Sequence, residues 1–285
     1  MTLPSPGHNT AVATIVFLHA HPDDEASQTS GAMARAAAQG DRVVVVFATN
    51  GEHGEVPDDL APGETLIDRR RREAEASAAA LGVARIEWLG YSDSGMTGWE
   101  QNSAAGSLHS ADIADAGMRL ARILDREDAD VVVGYDWHGG YGHPDHVQVH
   151  RVLHEGARLA ARRPRVLEST GNRDVMRTLY QSALAAGMAD AGWDPDQPMD
   201  DGNPFGTPEE EITWAVDVRD YLPQRRAALA AHRSQKTDIE GMLAMPAEIF
   251  ETFLGTEHYV EPEWQAPDDA EPGMQRGWPF TPLPR

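Results

Sequence analysis

The sequence predicts an α/β fold: a Rossmann-like three-layer arrangement with a mostly parallel sheet, followed by an irregular C-terminal extension. Three observations lead there. Residues 12–19 (VATIVFLH) and 42–48 (RVVVVFA) are continuous apolar runs of strand length, rich in β-branched side chains. Strands buried on both faces have that character. Stretches of helical length alternate with such runs as far as about residue 184. Glycines stand where the first two helices should stop, at Gly40 and Gly82.

Each element follows in order. Residues 29–40 (TSGAMARAAAQG) form an Ala-rich helix between the first two strands. A helix over 68–81 leads to a strand at 85–89, and a helix over 111–125 to a strand at 130–135 (DVVVGY). Residues 146–160 make the next helix. The stretch 188–210 is dense in Asp, Gly and Pro and reads as an excursion or lid. A further strand is expected at 213–218, with helices over 218–234 and 245–254. From residue 261, Pro and acidic residues predict a loosely packed tail. With no internal repeat or heptad run, residues 1–285 read as a single domain. Its core spans about 12–184, and a lid-like and C-terminal region spans about 185–285. Sites in open parallel sheets lie at the carboxyl ends of strands.

Composition narrows the function. Asp and Glu number 46 against 24 Lys and Arg, a formal net charge of −22. That balance argues against nucleic-acid binding, which needs clustered basic groups to neutralise phosphates, and against an anionic membrane surface. No stretch approaches the ~18–20 apolar residues of a membrane span. The N-terminal residues lack the basic start of a signal peptide, so a cytoplasmic protein is expected. With no cysteine, thiolate nucleophiles and Cys-ligated metals are excluded, and any metal must sit on His and carboxylate ligands.

Two segments bear the chemistry. His21-Pro22-Asp23-Asp24-Glu25 follows the first strand directly. Crowded carboxylates repel, and a bound cation removes that cost. The competing reading is an acidic helix N-terminus favoured by the macrodipole. Gly139-Gly140-Tyr141-Gly142-His143-Pro144-Asp145-His146 follows the strand at 130–135. His143 and His146, three apart, project from one face of a helical turn. His150 and His154 continue at helical spacing and read as packing or solvated residues.

Together, His21-Pro22-Asp23-Asp24-Glu25 and Gly142-His143-Pro144-Asp145-His146 resemble the LmbE-like (PIG-L) family of zinc-dependent N-deacetylases and amidases. The resemblance is close over residues 12–160, and Ala231-His232-Arg233-Ser234-Gln235 also looks family-like. It implies that His21, Asp24 and His146 hold zinc, with ferrous iron as the cellular alternative. It makes Asp23 the general base, and His143, oriented by Asp145, the group that stabilises the oxyanion or protonates the leaving amine. Tyr141 would assist at the tetrahedral intermediate, while Arg70 and Asp93 would bind substrate. His19 falls outside the ligand pattern and reads as buried. The implied activity is removal of an N-acyl group, acetyl first, from an amino sugar or glucosaminyl conjugate. A larger-acyl amidase of the mycothiol S-conjugate type and an inactive sugar- or metal-binding module are the alternatives. Gln28 stands where the conjugate amidases carry lysine and the biosynthetic deacetylases serine; with Trp137 and His138 it leaves room for an acylated amino sugar of secondary metabolism. The expected partner is a small molecule, with a homo-oligomer left open. Of Trp193, Phe205, Trp214 and Trp264, most are expected to pack in the core.

Overall fold

The computed structural model describes residues 12–187, 194–267 and 272–282. The chain starts with β1 (Thr14–His19), α1 (Ser30–Gln39), β2 (Arg42–Thr49), α2 (Leu66–Leu81) and β3 (Arg85–Tyr91). It continues through α3 (Ile113–Glu127), β4 (Val131–Tyr135), α4 (Pro144–Leu159), β5 (Arg165–Thr170) and α5 (Arg173–Ala185). The last elements are β6 (Trp214–Asp217), α6 (Leu222–Ala231), α7 (Lys236–Leu243), α8 (Ala247–Leu254), β7 (Thr256–Val260) and β8 (Gln275–Arg276). The strands form one sheet in the order β3-β2-β1-β4-β5-β7-β6-β8. Strands β1 to β5 run parallel, and β7 lies antiparallel between β5 and β6.

The alternation along β1 explains the three layers. Ile15 and Phe17 pack with Met33 of α1 and Leu229 of α6, whereas Val16 and Leu18 pack with Leu120 of α3 and Val149 of α4. All four β1 side chains are fully buried, each stabilising the fold by about 1.5–3 kcal/mol. Helix ends follow local chemistry. Gly40, at φ 93°, donates its N–H to Ala36 and Ala37 carbonyls and closes α1. Thr65 and Asp68 form a reciprocal capping box at the start of α2. Pro144 opens α4 at the position where its missing N–H costs nothing.

β1 connects to β2 on one side of the sheet while β4 lies on its other side, which makes the β1/β4 carboxyl edge a topological switch point. Both motif segments leave the sheet there.

Two expectations need correction. The tail after residue 261 is not loose throughout: β8 extends the sheet, and Phe280 is buried against Phe17 and Tyr259. The helix expected over 218–234 is shorter, because the chain first makes a 3-10 turn at Arg219–Tyr221 and breaks at His232. Of the expected lid, residues 188–193, including Trp193, lie outside the described residues. The part that follows is tied down by Asp200 N–H to Tyr141 O (3.2 Å), Gly206 N–H to Gly140 O (2.8 Å) and Thr207 N–H to Gly171 O (2.9 Å).

Candidate active site

The first segment leaves β1 at His19 and turns into a π-helical turn, Glu25–Thr29, before α1. At its centre, Asp23 has φ 127°, a region that side chains other than glycine rarely adopt. The strain is held from several sides. Asp23 N–H donates to Glu25 Oε2 (2.9 Å), and Arg70 Nη2 from α2 meets Asp23 Oδ2 at 2.8 Å. The same guanidinium donates to the carbonyls of Pro22 and Gly51. Glu25, itself buried, accepts from Ser77 Oγ and from His232 Nε2, the latter at 2.6 Å. Burial pushes the Asp23 carboxyl up to about 6; Arg70 opposes the rise and the Asp24 charge adds to it.

The second segment leaves β4 and crosses to α4 through Gly139, Gly140 and Gly142, all at positive φ. A Cβ on Gly139, at φ 67°, would lie 2.3 Å from His146 Cβ. The close approach lets Gly139 O accept from His146 Nδ1 at 3.1 Å. That bond fixes the tautomer and leaves Nε2 as a lone pair. Nε2 is buried and without a hydrogen-bond partner, 3.3 Å from Asp24 Oδ1. The other Asp24 oxygen lies 3.3 Å from His21 Nδ1.

On its far side, His21 Nε2 meets Asp145 Oδ2 at 3.2 Å and Asp93 Oδ1 at 3.6 Å. Burial alone would push the His21 imidazole down, but the Asp93, Asp145 and Asp24 carboxylates outweigh it and hold it well above the usual histidine value. The pocket therefore favours positive charge on or beside this ring.

His143 caps α4, its Nδ1 accepting the Asp145 backbone N–H at 3.1 Å. Its ring lies 4.8 Å from that of His21 and 5.0 Å from that of His146. Burial, with the His21 charge acting the same way, lowers it to about 2, so this imidazole is neutral with its proton on Nε2.

The geometry corrects one expectation. The Asp145 carboxylate does not orient His143; it holds His21 and accepts from Ser94 N–H (2.9 Å) and Ser94 Oγ. Asp93 accepts from His53 N–H (3.1 Å) and Gly95 N–H (2.8 Å) and lines the same cleft as Asp23 and His143. Tyr141 stands at that cleft with its ring 5.0 Å from His146, and burial raises its phenol well above the usual value. Arg70 reaches the cleft too, but its three hydrogen bonds go to Asp23 and two carbonyls. His19 is buried between Tyr135 OH and Thr29 Oγ1, outside the cluster. Trp137 is exposed, His138 is buried, and Trp214 packs edge-on against Trp264. Ser77 carried no sequence signal, and Glu25 lay in the first motif without a role of its own. His232 lay in a quoted motif without a role.

The donors suit a divalent cation. Tetrahedral bonds of about 2.0–2.1 Å place neighbouring ligand atoms about 3.3 Å apart. Asp24 keeps that spacing through one oxygen to each ring, Oδ2 to His21 Nδ1 and Oδ1 to His146 Nε2, and a cation would take the place of the proton that the carboxylates hold on His21. Asp145 behind His21 and Gly139 O behind His146 supply the outer hydrogen bonds that metal-ligating histidines use.

A mostly parallel sheet whose switch point gathers buried His and Asp side chains beside a strained carboxylate has the architecture of an α/β enzyme. The family model for GlcNAc-PI de-N-acetylases (PIG-L) matches residues 16–156. A 1D-myo-inositol 2-acetamido-2-deoxy-alpha-D-glucopyranoside deacetylase of Acidothermus cellulolyticus is 37% identical, with 87% of this chain and 88% of that protein covered. One of the same description from Thermomonospora curvata is 36% identical, over 86% of this chain and 89% of that protein. The chain belongs to the PIG-L de-N-acetylase family, whose members hydrolyse amide bonds. The N,N'-diacetylchitobiose deacetylase of Pyrococcus horikoshii superposes with a TM-score of 0.54 at 23% identity, covering 88% of this chain and 83% of that one. The 4-carboxy-2-hydroxymuconate hydratase GalB of Pseudomonas putida gives 0.57 at 17% identity, covering 91% and 100%. Those likenesses concern the fold alone.

Proposed function

We propose that this chain removes the acetyl group from a 2-acetamido sugar joined to a polyol, the substrate type in the names of its sequence relatives. The observation behind the reading is the Asp24 carboxylate set 3.3 Å from both His21 Nδ1 and His146 Nε2, with Asp23 beside it. Zinc fits two imidazoles and a carboxylate best, with ferrous iron as the alternative. Bound there, the ion would lower the pKa of a water to about 7 and polarise the acyl oxygen.

The chain's own residues do the rest. Asp23, held by Arg70, takes the proton from the attacking water as oxygen bonds to the acyl carbon. Its raised pKa suits it to pass that proton to the departing nitrogen when the C–N bond breaks. The Nε2–H of neutral His143 donates to the oxyanion. Tyr141 flanks the same position. Asp93 faces the sugar hydroxyls, and Asp145 orients His21.

One observation favours a second reading, an amidase for larger acyl groups. A cavity of about 390 Å³ adjoins the cleft, and Gln28, Tyr141, Met242 and Phe253 line both. Acetate release from N-acetylglucosaminyl-inositol, against release of longer acids from matched N-acyl analogues, separates the two. Stoichiometric metal with no hydrolysis across such a panel would overturn both and leave a binding module.

A further inference from the structure

We propose that His150 and His154 of α4, with Glu168 of β5, form a second divalent-cation site of the zinc class, separate from the catalytic cleft. One nitrogen of each ring and one Glu168 oxygen lie within 4.8 Å of one another. The spacing follows from the fold. Residues four apart on a helix share a face, and α4 turns that face toward β5. The two rings meet edge to face with centroids 4.7 Å apart. His154 Nε2 lies 2.7 Å from Glu168 Oε1, and His150 Nδ1 lies 3.6 Å from the same oxygen.

The charge balance points the same way. Glu168 is buried and pairs with the two imidazoles, and with no arginine or lysine among the described residues. A buried carboxylate whose partners are imidazoles, with no guanidinium or ammonium beside it, is one that a cation can complete. His150 donates Nδ1–H to the Tyr135 carbonyl at 3.1 Å, so this ring would take an ion through Nε2 and not through the Nδ1 that lies 3.6 Å from Glu168. The His154 side chain is 34% exposed, giving an ion a way in from solvent. None of the three lines the cleft that holds Asp23.

The site has a structural consequence. It clips α4, whose first turn carries His143 and His146, to the neighbouring strand. It also touches the Tyr135 carbonyl, and the Tyr135 ring stacks on His146 at 4.4 Å.

Zinc content per folded chain after equilibrium dialysis tests the assignment. Wild type should hold one equivalent more than either His154→Ala or Glu168→Gln, with deacylation at saturating zinc within about two-fold of wild type. In His146→Ala, zinc should still raise the melting temperature, because it binds only the folded state. That rise should vanish when His154→Ala is added. Glu168→Gln preserves side-chain volume and decides the matter if His154→Ala melts early in chelator. Equal zinc content in wild type and Glu168→Gln overturns the proposal, whatever the catalytic cleft does.

Discussion

The backbone of Asp23 yields a prediction that separates stability from catalysis. At φ 127° a side chain stores about 1–3 kcal/mol of strain that glycine does not. Glycine also makes the unfolded chain looser than alanine does, by about 0.4–1 kcal/mol. Asp23→Ala and Asp23→Gly both remove the carboxylate and its 2.8 Å contact with Arg70, so that loss cancels between them. The difference leaves the Gly variant more stable than the Ala variant by about 1 kcal/mol. Urea denaturation of the two proteins, monitored by tryptophan fluorescence, measures it. Both variants should keep metal at the His21/Asp24/His146 pocket and lose about two to four orders of magnitude in turnover, the usual contribution of a general base. An alanine variant as stable as the glycine one would refute the strain argument; one retaining near-normal turnover would refute the assignment of Asp23.

Further outcomes follow from the same geometry. Chelation should abolish hydrolysis, with zinc restoring it in wild type but not in His146→Ala, as metal analysis and acetate release will record. Glu25→Ala strands His232 and the Asp23 N–H without their acceptor, and should cost about 3–5 kcal/mol in chemical denaturation, as broken buried pairs do. Burial lowers His258 of β7 from 6.5 to about 4, so the folded chain keeps this ring neutral while the unfolded chain protonates it. The stability it confers is therefore complete above about pH 6.5 and lost as pH falls toward 4, by about 3 kcal/mol. Urea midpoints from pH 7 to 4 should fall less in His258→Gln than in wild type; parallel curves would contradict the burial argument.

What was legible in the sequence was what a local pattern can encode. The β-branched runs of β1, β2 and β4 and the glycine stops of α1 and α2 need no distant partner to be read. β7 was missed because TEHYV alternates polar and apolar residues weakly, and its strand character comes from pairing with β5 and β6. The two His-Pro-Asp segments pointed to the cluster of His21, Asp24, His143 and His146, since both leave adjacent strands at one edge. The residues that hold Asp23 in place come from α2 and from the break after α6: Arg70, Ser77 and His232. Only Arg70 was singled out for the site, and for substrate rather than for Asp23. A sequence does not show that a glutamate next to an aspartate will reach a histidine 207 positions away.

The error over Asp145 has a physical source that bears on the mechanism. Residues 143 and 145 are neighbours in sequence, which invites a pairing of their side chains. At a helix start, however, the cap side chain takes the backbone N–H of the second helical residue, and that residue's own side chain points elsewhere. His143 thereby spends Nδ1 on Asp145 N–H and keeps its proton on Nε2, whereas His146 spends its Nδ1 proton on Gly139 O and keeps a lone pair on Nε2. Two histidines three residues apart thus have opposite functions at the same atom, one a donor and the other a ligand, and main-chain groups make the distinction. Replacing Asp145 by Asn should consequently act through His21. It should weaken metal affinity by about 10–100-fold, the usual cost of an outer-shell partner, and leave turnover at saturating metal less affected than His143→Ala does. Turnover lost with metal affinity intact would return Asp145 to the side of His143.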